Sequence, residues 1–535
     1  KSKDDKLWVS EGKNRRKYKN IKMSDFRMLI IIINIKVNLV GKIRIIYKIR
    51  ILKRNGELIM KTRIEFDSIG SMEVPEEAYY GVQTLRAKRN FQITDRCIHE
   101  KLIVSLAEIK KAAAITNKNA GYLKPHVANA IINACDEIIC GKLHEQFILD
   151  PIQGGAGTSA NMNANEVIAN RAIELLGGKK GDYSIIHPND DVNMAQSTND
   201  VFPTAGKLSV LKMLPETVSE LQRLYKELEL KALEFNDVIK MGRTQLQDAV
   251  PIRLGQSFHA FASMIKRDVD RLKKVSEEML VLNIGATAIG TSINASSEYL
   301  ENIIENIRKV CGFEVIQAKD LIDATQNLDG FVTVSGVLKT CAVNLSKMAN
   351  DLRLLSSGPK TGISEINLPA MQNGSSIMPG KVNPVIPEVV SQVAFNIIGN
   401  DFTITMAAES GQLELNAFEP VLFYNLFESI ETLKNAATTL IDNCIKGITA
   451  NKERCKELVE NSVGIVTALC PYIGYKNSSI IAKKSLNTGV SIRQIVLEEK
   501  ILSRAQLEEI LDPFSMTAPG SAKLTNSNLV SNKAI

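Results

Sequence analysis

Residues 338–359 read LKTCAVNLSKMANDLRLLSSGP, and the spacing of the apolar residues in this stretch decides the fold class. Apolar side chains recur there at steps of three and four residues, which places them on one face of an α-helix. The stripe consists of Leu338, Cys341, Leu345, Met348, Leu352 and Leu355. Gly358 and Pro359 follow directly and are typical of a helix end. The stretch therefore predicts a long helix with one apolar face.

Two further stretches carry the same kind of stripe. The first consists of Leu214, Val218, Leu221, Tyr225 and Leu228, and the second of Phe258, Phe261, Ile265, Leu272, Val275 and Met279. Asp268 interrupts the second stripe with a charge. Long apolar stripes need partners that bury them, so these segments predict a mainly α-helical protein built on a bundle of long helices.

The charge of the chain is distributed unevenly. Residues 1–59 contain 17 Lys and Arg against 5 Asp and Glu, a net charge of +12 within a total of +7. Residues 60–535 therefore carry a net charge of −5. A mildly acidic body argues against nucleic acid as a partner.

The first 59 residues also differ from the rest in composition. They hold 12 Ile and the only Trp of the chain, whereas the composition from Met60 onward is ordinary. We interpret residues 1–59 as a non-native extension read in frame from upstream DNA. The alternative is a membrane anchor or signal at residues 28–33, but this apolar run is much shorter than the about 20 residues that span a bilayer. We therefore expect no membrane segment.

Cysteine and histidine usage argues against a disulfide framework and against a metal centre. The eight cysteines are scattered without a CxxC pair, and the five histidines show neither HxH nor HExxH spacing. Unpaired cysteines are typical of a reducing compartment. We therefore expect a cytoplasmic protein without a metal site built from its own side chains.

Four separated segments combine hydroxyl and amide side chains with few charges. They are residues 154–163 (GGAGTSANMN), 196–200 (QSTND), 242–248 (GRTQLQD) and 374–384 (GSSIMPGKVNP). Each segment alone is explained by helix capping or turn formation, with Thr158, Ser197 and Thr244 as candidate caps. Together they supply hydroxyl and amide donors and a lysine, the groups that bind carboxylates. The set therefore predicts a pocket for a dicarboxylate.

The fourth segment, residues 374–384, resembles the signature loop of the fumarase/aspartase superfamily, and the resemblance extends from Met60 to near the C-terminus. It implies a three-domain fold with a central helical bundle, assembled as a homotetramer in which different subunits complete each site. The implied domains are N-terminal (60–198), central (199–453) and C-terminal (454–535). Gly380 before Lys381 is similar to the branch that contains aspartases and class II fumarases.

The resemblance assigns a role to each candidate residue. Ser375 is the expected catalytic base. The expected substrate-binding residues are Thr158, Ser197, Thr198, Asn199, Thr244, Gln245, Ser376, Lys381 and Asn383. The hydroxyls, Lys381 and Asn383 are expected to hold the two carboxylates, while Asn199 and Gln245, together with Thr158, accept hydrogen bonds from the substrate ammonium. Glu388 and Met378 are supporting residues, the former as a hydrogen bonder and the latter as a packing residue of the loop.

The resemblance implies release of ammonia from L-aspartate to give fumarate. Gln245 favours this reaction, because fumarases place a histidine at the matching position. Residues 187–193 (HPNDDVN) are instead similar to a second carboxylate site of fumarases. A class II fumarase is therefore the alternative, and a non-catalytic protein of the same fold is a further one. The resemblance implies no required cofactor and leaves activation by a divalent cation open.

Overall fold

The computed structural model describes residues 61–518, together with two short strands at Leu52–Arg54 and Glu57–Ile59. The rest of the predicted extension at residues 1–59 lies outside the described residues, as does the chain beyond residue 518. Helices dominate the described part of the chain, and the strands are short.

In chain order the helices are α1 (Val82–Asn90), α2 (Glu100–Asn119), α3 (Pro125–Ile139), α4 (Thr158–Leu175), α5 (Thr198–Glu234), α6 (Leu254–Val275), α7 (Ser297–Cys311), α8 (Asp323–Gln326), α9 (Asp329–Leu355), α10 (Val385–Glu409), α11 (Glu419–Asn443), α12 (Lys452–Asn461), α13 (Cys470–Ile473), α14 (Tyr475–Thr488), α15 (Ile492–Glu498), α16 (Arg504–Ile510) and α17 (Pro513–Thr517). The strands are β1 (Leu52–Arg54), β2 (Glu57–Ile59), β3 (Thr62–Asp67), β4 (Gly70–Pro75), β5 (Ile239–Thr244), β6 (Gln247–Arg253), β7 (Val281–Leu282), β8 (Ile316–Gln317), β9 (Ile366–Asn367) and β10 (Thr449–Ala450). They form two-stranded sheets in which β1 and β2, β3 and β4, β5 and β6, and β9 and β10 are antiparallel, while β7 and β8 are parallel.

The five longest helices of the described chain, α5, α6, α9, α10 and α11, pack against one another as a bundle. The predicted stripe on α9 is buried from Leu338 to Leu352, and the helix ends at Leu355, just before the Gly358-Pro359 pair. Buried apolar stripes on long helices are the main source of stability in such a bundle. The prediction of a mainly α fold with a bundle of long helices is therefore confirmed.

The charge that interrupts the stripe of α6 has a partner inside the bundle. Asp268 is 1% exposed, and Asn344 Nδ2 of α9 donates to both of its carboxylate oxygens at 2.9 Å. Arg271 Nη1 donates to the same carboxylate at 2.6 Å. Burial raises the pKa of Asp268, while these donors favour its ionised form. The interruption is thus a polar link between α6 and α9.

Two smaller groups of helices hold the polar segments around the bundle. The helices α2, α3 and α4 pack together, and α4 contacts α5. Helices of the C-terminal part form a separate apolar core that includes Ile465, Leu469 and Ile481. Met241 of β5 is fully buried in that core, so the β5–β6 hairpin is fixed at its root. The domain boundaries at residues 198 and 453 stay a prediction.

Candidate active site

The signature loop (residues 374–384) is a closed surface loop between β9 and α10. The N–H of Gly374 donates to the carbonyl of Lys381 at 2.8 Å, and Asn383 Nδ2 donates to the carbonyl of Gly374 at 2.9 Å. A side chain at residue 374 would place its Cβ 2.6 Å from the Lys381 carbonyl oxygen, so this closure requires glycine. Contacts within the loop therefore set its shape.

Ser375 lies in a tight turn of this loop. Its Oγ accepts the backbone N–H of Ile377 at 3.2 Å and that of Met378 at 2.9 Å. Two N–H groups directed at one oxygen stabilise negative charge on it. Ile377 is 84% exposed, so the turn stands at the surface of the chain. Ser375 Oγ thus lies within reach of two backbone donors at the surface of the chain.

Ser376, Met378 and Lys381 of the loop are exposed, and Glu388 lies just beyond the loop. No hydrogen bond or ion pair within residues 61–518 engages the side chains of Ser376 and Lys381. Met378, predicted to pack within the loop, is 49% exposed in the single chain. Glu388, in the first turn of α10, faces Arg353 with 3.9 Å between Oε1 and Nη2. The loop therefore offers a free cation and a free hydroxyl to a ligand.

The starts of α4 and α5 bring two of the polar segments together; we call Thr158 with residues 197–199 the α4–α5 corner. Thr158 is the first residue of α4 rather than its cap, and its side chain is exposed. Ser197 caps α5, as one of the sequence alternatives proposed. Thr198 Oγ1 accepts a hydrogen bond from Asn161 Nδ2 of α4 at 3.1 Å. Because helix N-termini carry partial positive charge, the corner suits a carboxylate.

Asn199 in this corner has a fixed amide orientation. Its Nδ2 donates to the carbonyl of Ala288 at 2.7 Å. A carbonyl oxygen only accepts, so the Nδ2 end must face Ala288 and the Oδ1 end must face away. No donor within residues 61–518 reaches Oδ1. Asn199 therefore presents an unused acceptor, which suits a substrate ammonium.

The third polar segment forms the β5–β6 hairpin, in contrast to the helix cap considered for Thr244. Gln245 and Leu246 occupy its two-residue turn with φ of 54° and 63°. Thr244 and both turn residues are exposed. At the root, Arg243 Nη1 donates to the carboxylate of Glu365 at 2.9 Å. Gln245 thus stands at the exposed tip of an anchored hairpin.

A single chain assembles only part of the predicted site. The contact between Asn161 and Thr198 joins the first two segments. No hydrogen bond or ion pair among the described residues joins the signature loop, the tip of the hairpin and the α4–α5 corner to one another. Among the described residues, hydrogen bonds therefore connect only the first two of the four segments.

A buried polar network behind the α4–α5 corner was not predicted. Lys110 of α2 is fully buried and donates to Asn193 Oδ1 at 2.7 Å. Asp200 is fully buried as well and accepts the N–H of Ser197 at 2.9 Å and two further backbone N–H groups. Burial lowers the pKa of Lys110 to about 7 and raises the pKa of Asp200 to about 6. In the sequence Lys110 stands beside Lys111 and two residues after Glu108, so its immediate neighbours gave no signal that it is buried.

The segment that is similar to a fumarase site forms a π-helical turn at Pro188–Val192, which packs on α4. Nδ1 of His187 accepts the backbone N–H of Asn189 at 3.3 Å and that of Asp190 at 3.2 Å. Because Nδ1 accepts, the ring proton of a neutral His187 is on Nε2. The histidine therefore caps this turn.

Within the described part of the chain, no group of three or more His, Cys, Asp or Glu side chains is arranged to hold a metal ion. None of the described helices combines the length and the apolar character needed to cross a membrane. All eight cysteines are free thiols.

Two family profiles match the chain. The profile described as Lyase matches residues 70–399, and the profile described as Fumarase C C-terminus matches residues 465–518. The first covers more than half of the chain and contains every candidate residue from Thr158 to Glu388.

Curated relatives match over nearly their whole length. The chain is 54% identical over 460 residues to an aspartate ammonia-lyase of a Bacillus species, which covers 86% of this chain and 98% of the relative. The aspartate ammonia-lyase of Helicobacter pylori is 53% identical over 463 residues, with coverage of 86% and 99%. That of Escherichia coli is 51% identical over 460 residues, with coverage of 85% and 96%.

Solved structures share the fold. A fumarate lyase:delta crystallin from Brucella melitensis bound to cobalt superimposes with a TM-score of 0.84 at 52% identity and covers 86% of this chain and all of its own. A class II fumarase from Schistosoma mansoni gives a TM-score of 0.82 at 36% identity with the same coverage. Sequence profile, curated relatives and fold agree that the chain belongs to the fumarase/aspartase superfamily of lyases.

Proposed function

We propose that the protein is an aspartate ammonia-lyase, which converts L-aspartate reversibly to fumarate and ammonia. The observation that carries the proposal is the identity of 51–54% to curated proteins of that name over 96–99% of their length. Gln245 supports this choice over a fumarase, since a neutral amide stands where fumarases place a histidine.

In the proposed reaction Ser375 acts as the base. Its Oγ takes a proton from the carbon next to one carboxylate, and the electrons of that C–H bond move into the carboxylate to form a doubly negative aci-carboxylate. These electrons then form the C=C bond while the C–N bond breaks, and the ammonium group leaves as ammonia. The two backbone N–H groups at Ser375 Oγ support the alkoxide that this step needs.

The hydroxyls of the α4–α5 corner and Ser376 are proposed to hold the carboxylate that becomes the aci-carboxylate. Ser197 Oγ already accepts a backbone N–H as a helix cap, so its own proton is available to a ligand. Lys381, Asn383 and Thr244 are proposed to hold the other carboxylate. The exposed ammonium of Lys381 supplies the positive charge, and one N–H of Asn383 remains beside the one that closes the loop.

The ammonium of aspartate is proposed to lie against neutral oxygen acceptors, two amides and one hydroxyl. Asn199 Oδ1 is the strongest candidate, because its Nδ2 is committed to Ala288 and its oxygen is unused. Gln245 and Thr158 complete this set. Neutral acceptors stabilise the ammonium without taking its proton, which keeps the amine a good leaving group.

Completion of the site is proposed to require several copies of the chain. No hydrogen bond or ion pair within residues 61–518 joins the signature loop, the exposed hairpin tip and the α4–α5 corner, in which Thr158 is exposed and Thr198 is buried. A homotetramer in which different subunits contribute these surfaces would bring them together. The free cysteines support a cytoplasmic location for this assembly.

The purified protein supplied with L-aspartate or L-malate tests the proposal, with fumarate followed by its ultraviolet absorbance. We expect fumarate from aspartate and little from malate. A class II fumarase, which the segment at His187 and the similarity to the Schistosoma enzyme favour, would give the reverse result. A folded protein that converts neither substrate would indicate a non-catalytic member of the family.

A further inference from the structure

Asn193 is the centre of a hydrogen-bond network behind the α4–α5 corner. Its Oδ1 accepts from Lys110 Nζ at 2.7 Å and from the Nδ2 atoms of Asn161 and Asn165, each at 3.2 Å. Its own Nδ2 donates to the carbonyl of Gln196 at 3.1 Å. A carbonyl oxygen only accepts, so the Nδ2 end of Asn193 must face Gln196 and its Oδ1 end must face Lys110.

The orientation of Asn193 determines that of Asn161, and Asn161 in turn donates to Thr198. Because Asn193 presents an oxygen, Asn161 must turn Nδ2 toward it, since the reverse orientation would place two amide oxygens in contact. The second N–H of Asn161 then donates to Thr198 Oγ1 at 3.1 Å. Thr198 thus accepts a hydrogen bond, and no acceptor within residues 61–518 takes its own hydroxyl proton. That proton is left for a ligand.

The burial of the network argues that it is not arranged for stability alone. Asn161 is 1% exposed and Asn165 is fully buried, and neither Oδ1 has a hydrogen-bond partner in the described part of the chain. A buried carbonyl oxygen without a partner reduces stability. Asn161 nevertheless directs its Nδ2 to Asn193 and to Thr198, which is the orientation that leaves the Thr198 hydroxyl proton free.

We propose that Asn161 and Lys110 are positioning residues that direct the hydroxyl proton of Thr198 toward a substrate carboxylate. The inference rests on the proposed function, which places Thr198 against the carboxylate that becomes the aci-carboxylate. Asn161 and Lys110 act through Thr198 and not on the substrate. A donor that is aimed before binding needs no reorganisation when charge develops on the carboxylate. Their contribution must therefore disappear when Thr198 has no hydroxyl.

A double-mutant cycle tests this dependence. Asn161→Ala and Thr198→Val are measured singly and together in the full-length assembled protein. The readouts are KM for aspartate and the Kd for succinate, an unreactive four-carbon dicarboxylate, by calorimetry. Each single change is expected to raise both constants about 10-fold, as for loss of a hydrogen bond to a charged group. The double variant is expected to be no worse than Thr198→Val.

Asn165→Ala is the matched control. It removes the same amide from the same helix and from the same acceptor, but Asn165 does not touch Thr198. It should change KM by less than about twofold, as expected for a site without coupling to Thr198. Where Asn161→Ala does not fold, Lys110→Met replaces it in the cycle and should show the same dependence on Thr198.

Effects of Asn161→Ala or Lys110→Met that persist in the Thr198→Val background would overturn the inference and leave a purely structural role. A wild-type protein that deaminates aspartate and binds succinate keeps the proposed function intact in that case. A wild-type protein that does neither overturns the proposed function, and the inference with it.

Discussion

At the scale of single residues, Ser375 is the group on which the proposed chemistry depends. We expect Ser375→Ala to lower kcat by about 10²–10⁴-fold, the usual contribution of a positioned base. The N–H groups of Ile377 and Met378 remain in the variant, so KM and succinate binding should change little. Steady-state kinetics and calorimetry measure these values, with Tm as the folding control. A variant that keeps more than about a tenth of kcat would exclude Ser375 as the base.

Gln245 allows a second test at the same scale, because its role is separable from stability. It is exposed and has a φ of 54°, and alanine is strained there to the same extent as glutamine. Gln245→Ala should therefore leave the free energy of unfolding unchanged and raise KM for aspartate about 10-fold through loss of one hydrogen bond to a charged group. Gln247→Ala, which removes the same amide from the same hairpin, is the control. Equal effects of both variants would contradict a specific role of Gln245.

The residue types of the candidate site could be predicted from the sequence, but their supporting groups could not. The loop around Ser375 is contiguous in the chain, so its hydroxyl, amine and amide groups can be identified directly from the sequence. Lys110 and Asn193 are 83 residues apart in the chain, and nothing in the spacing of either indicates that they meet. Ser197 illustrates a different limit: the capping interpretation is confirmed, and it is compatible with substrate binding because the cap uses only the oxygen of the hydroxyl.

At the scale of elements, one carboxylate anchors the β5–β6 hairpin to the strand that precedes the signature loop. Glu365, directly before β9, is fully buried, 2.9 Å from Arg243 Nη1 and 3.1 Å from Lys240 Nζ. Glu365→Gln removes the buried counter-charge of Arg243 and Lys240, and leaves Arg243 only the more distant Asp248 at 3.9 Å. We expect it to lower the free energy of unfolding by about 3 kcal/mol, as for other buried ion pairs that lose one partner. Urea unfolding followed by circular dichroism measures this change.

A second variant separates lost charge balance from lost packing. Lys240 is 5% exposed, so Lys240→Met keeps its apolar stem and removes one of the two cations. Combined with Glu365→Gln it should recover part of the lost stability, because contacting residues are coupled. Purely additive losses would show that Glu365 contributes through packing rather than charge.

The helices were easier to predict than this hairpin for a physical reason. An apolar stripe is repeated over five or six positions, so the long helices α5, α6 and α9 are indicated many times over. The hairpin instead has an exposed tip, Thr244 to Gln247, in which Thr244 suits a helix cap equally well. The position of the hairpin depends on Met241, which is buried in a core formed by residues more than 200 positions later in the chain. The pattern of neighbouring residues does not indicate such a distant contact.

At the scale of the whole molecule, the proposed completion of the site by several copies of the chain makes a prediction about mixed assemblies. Ser375→Ala damages the signature loop, and Thr198→Val damages the α4–α5 corner. If one site takes these two groups from different copies, a 1:1 mixed assembly leaves both groups intact in about a quarter of its sites. Chains co-expressed with two different tags and purified through both should then regain about a quarter of the wild-type kcat/KM.

Asn161→Ala mixed with Thr198→Val is the control, because these residues contact each other within one chain at 3.1 Å and no corner in that mixture is intact. Recovery in the first mixture and not in the second would establish that the site is shared between subunits, whereas no recovery in either would place Ser375 and Thr198 of each site on the same copy.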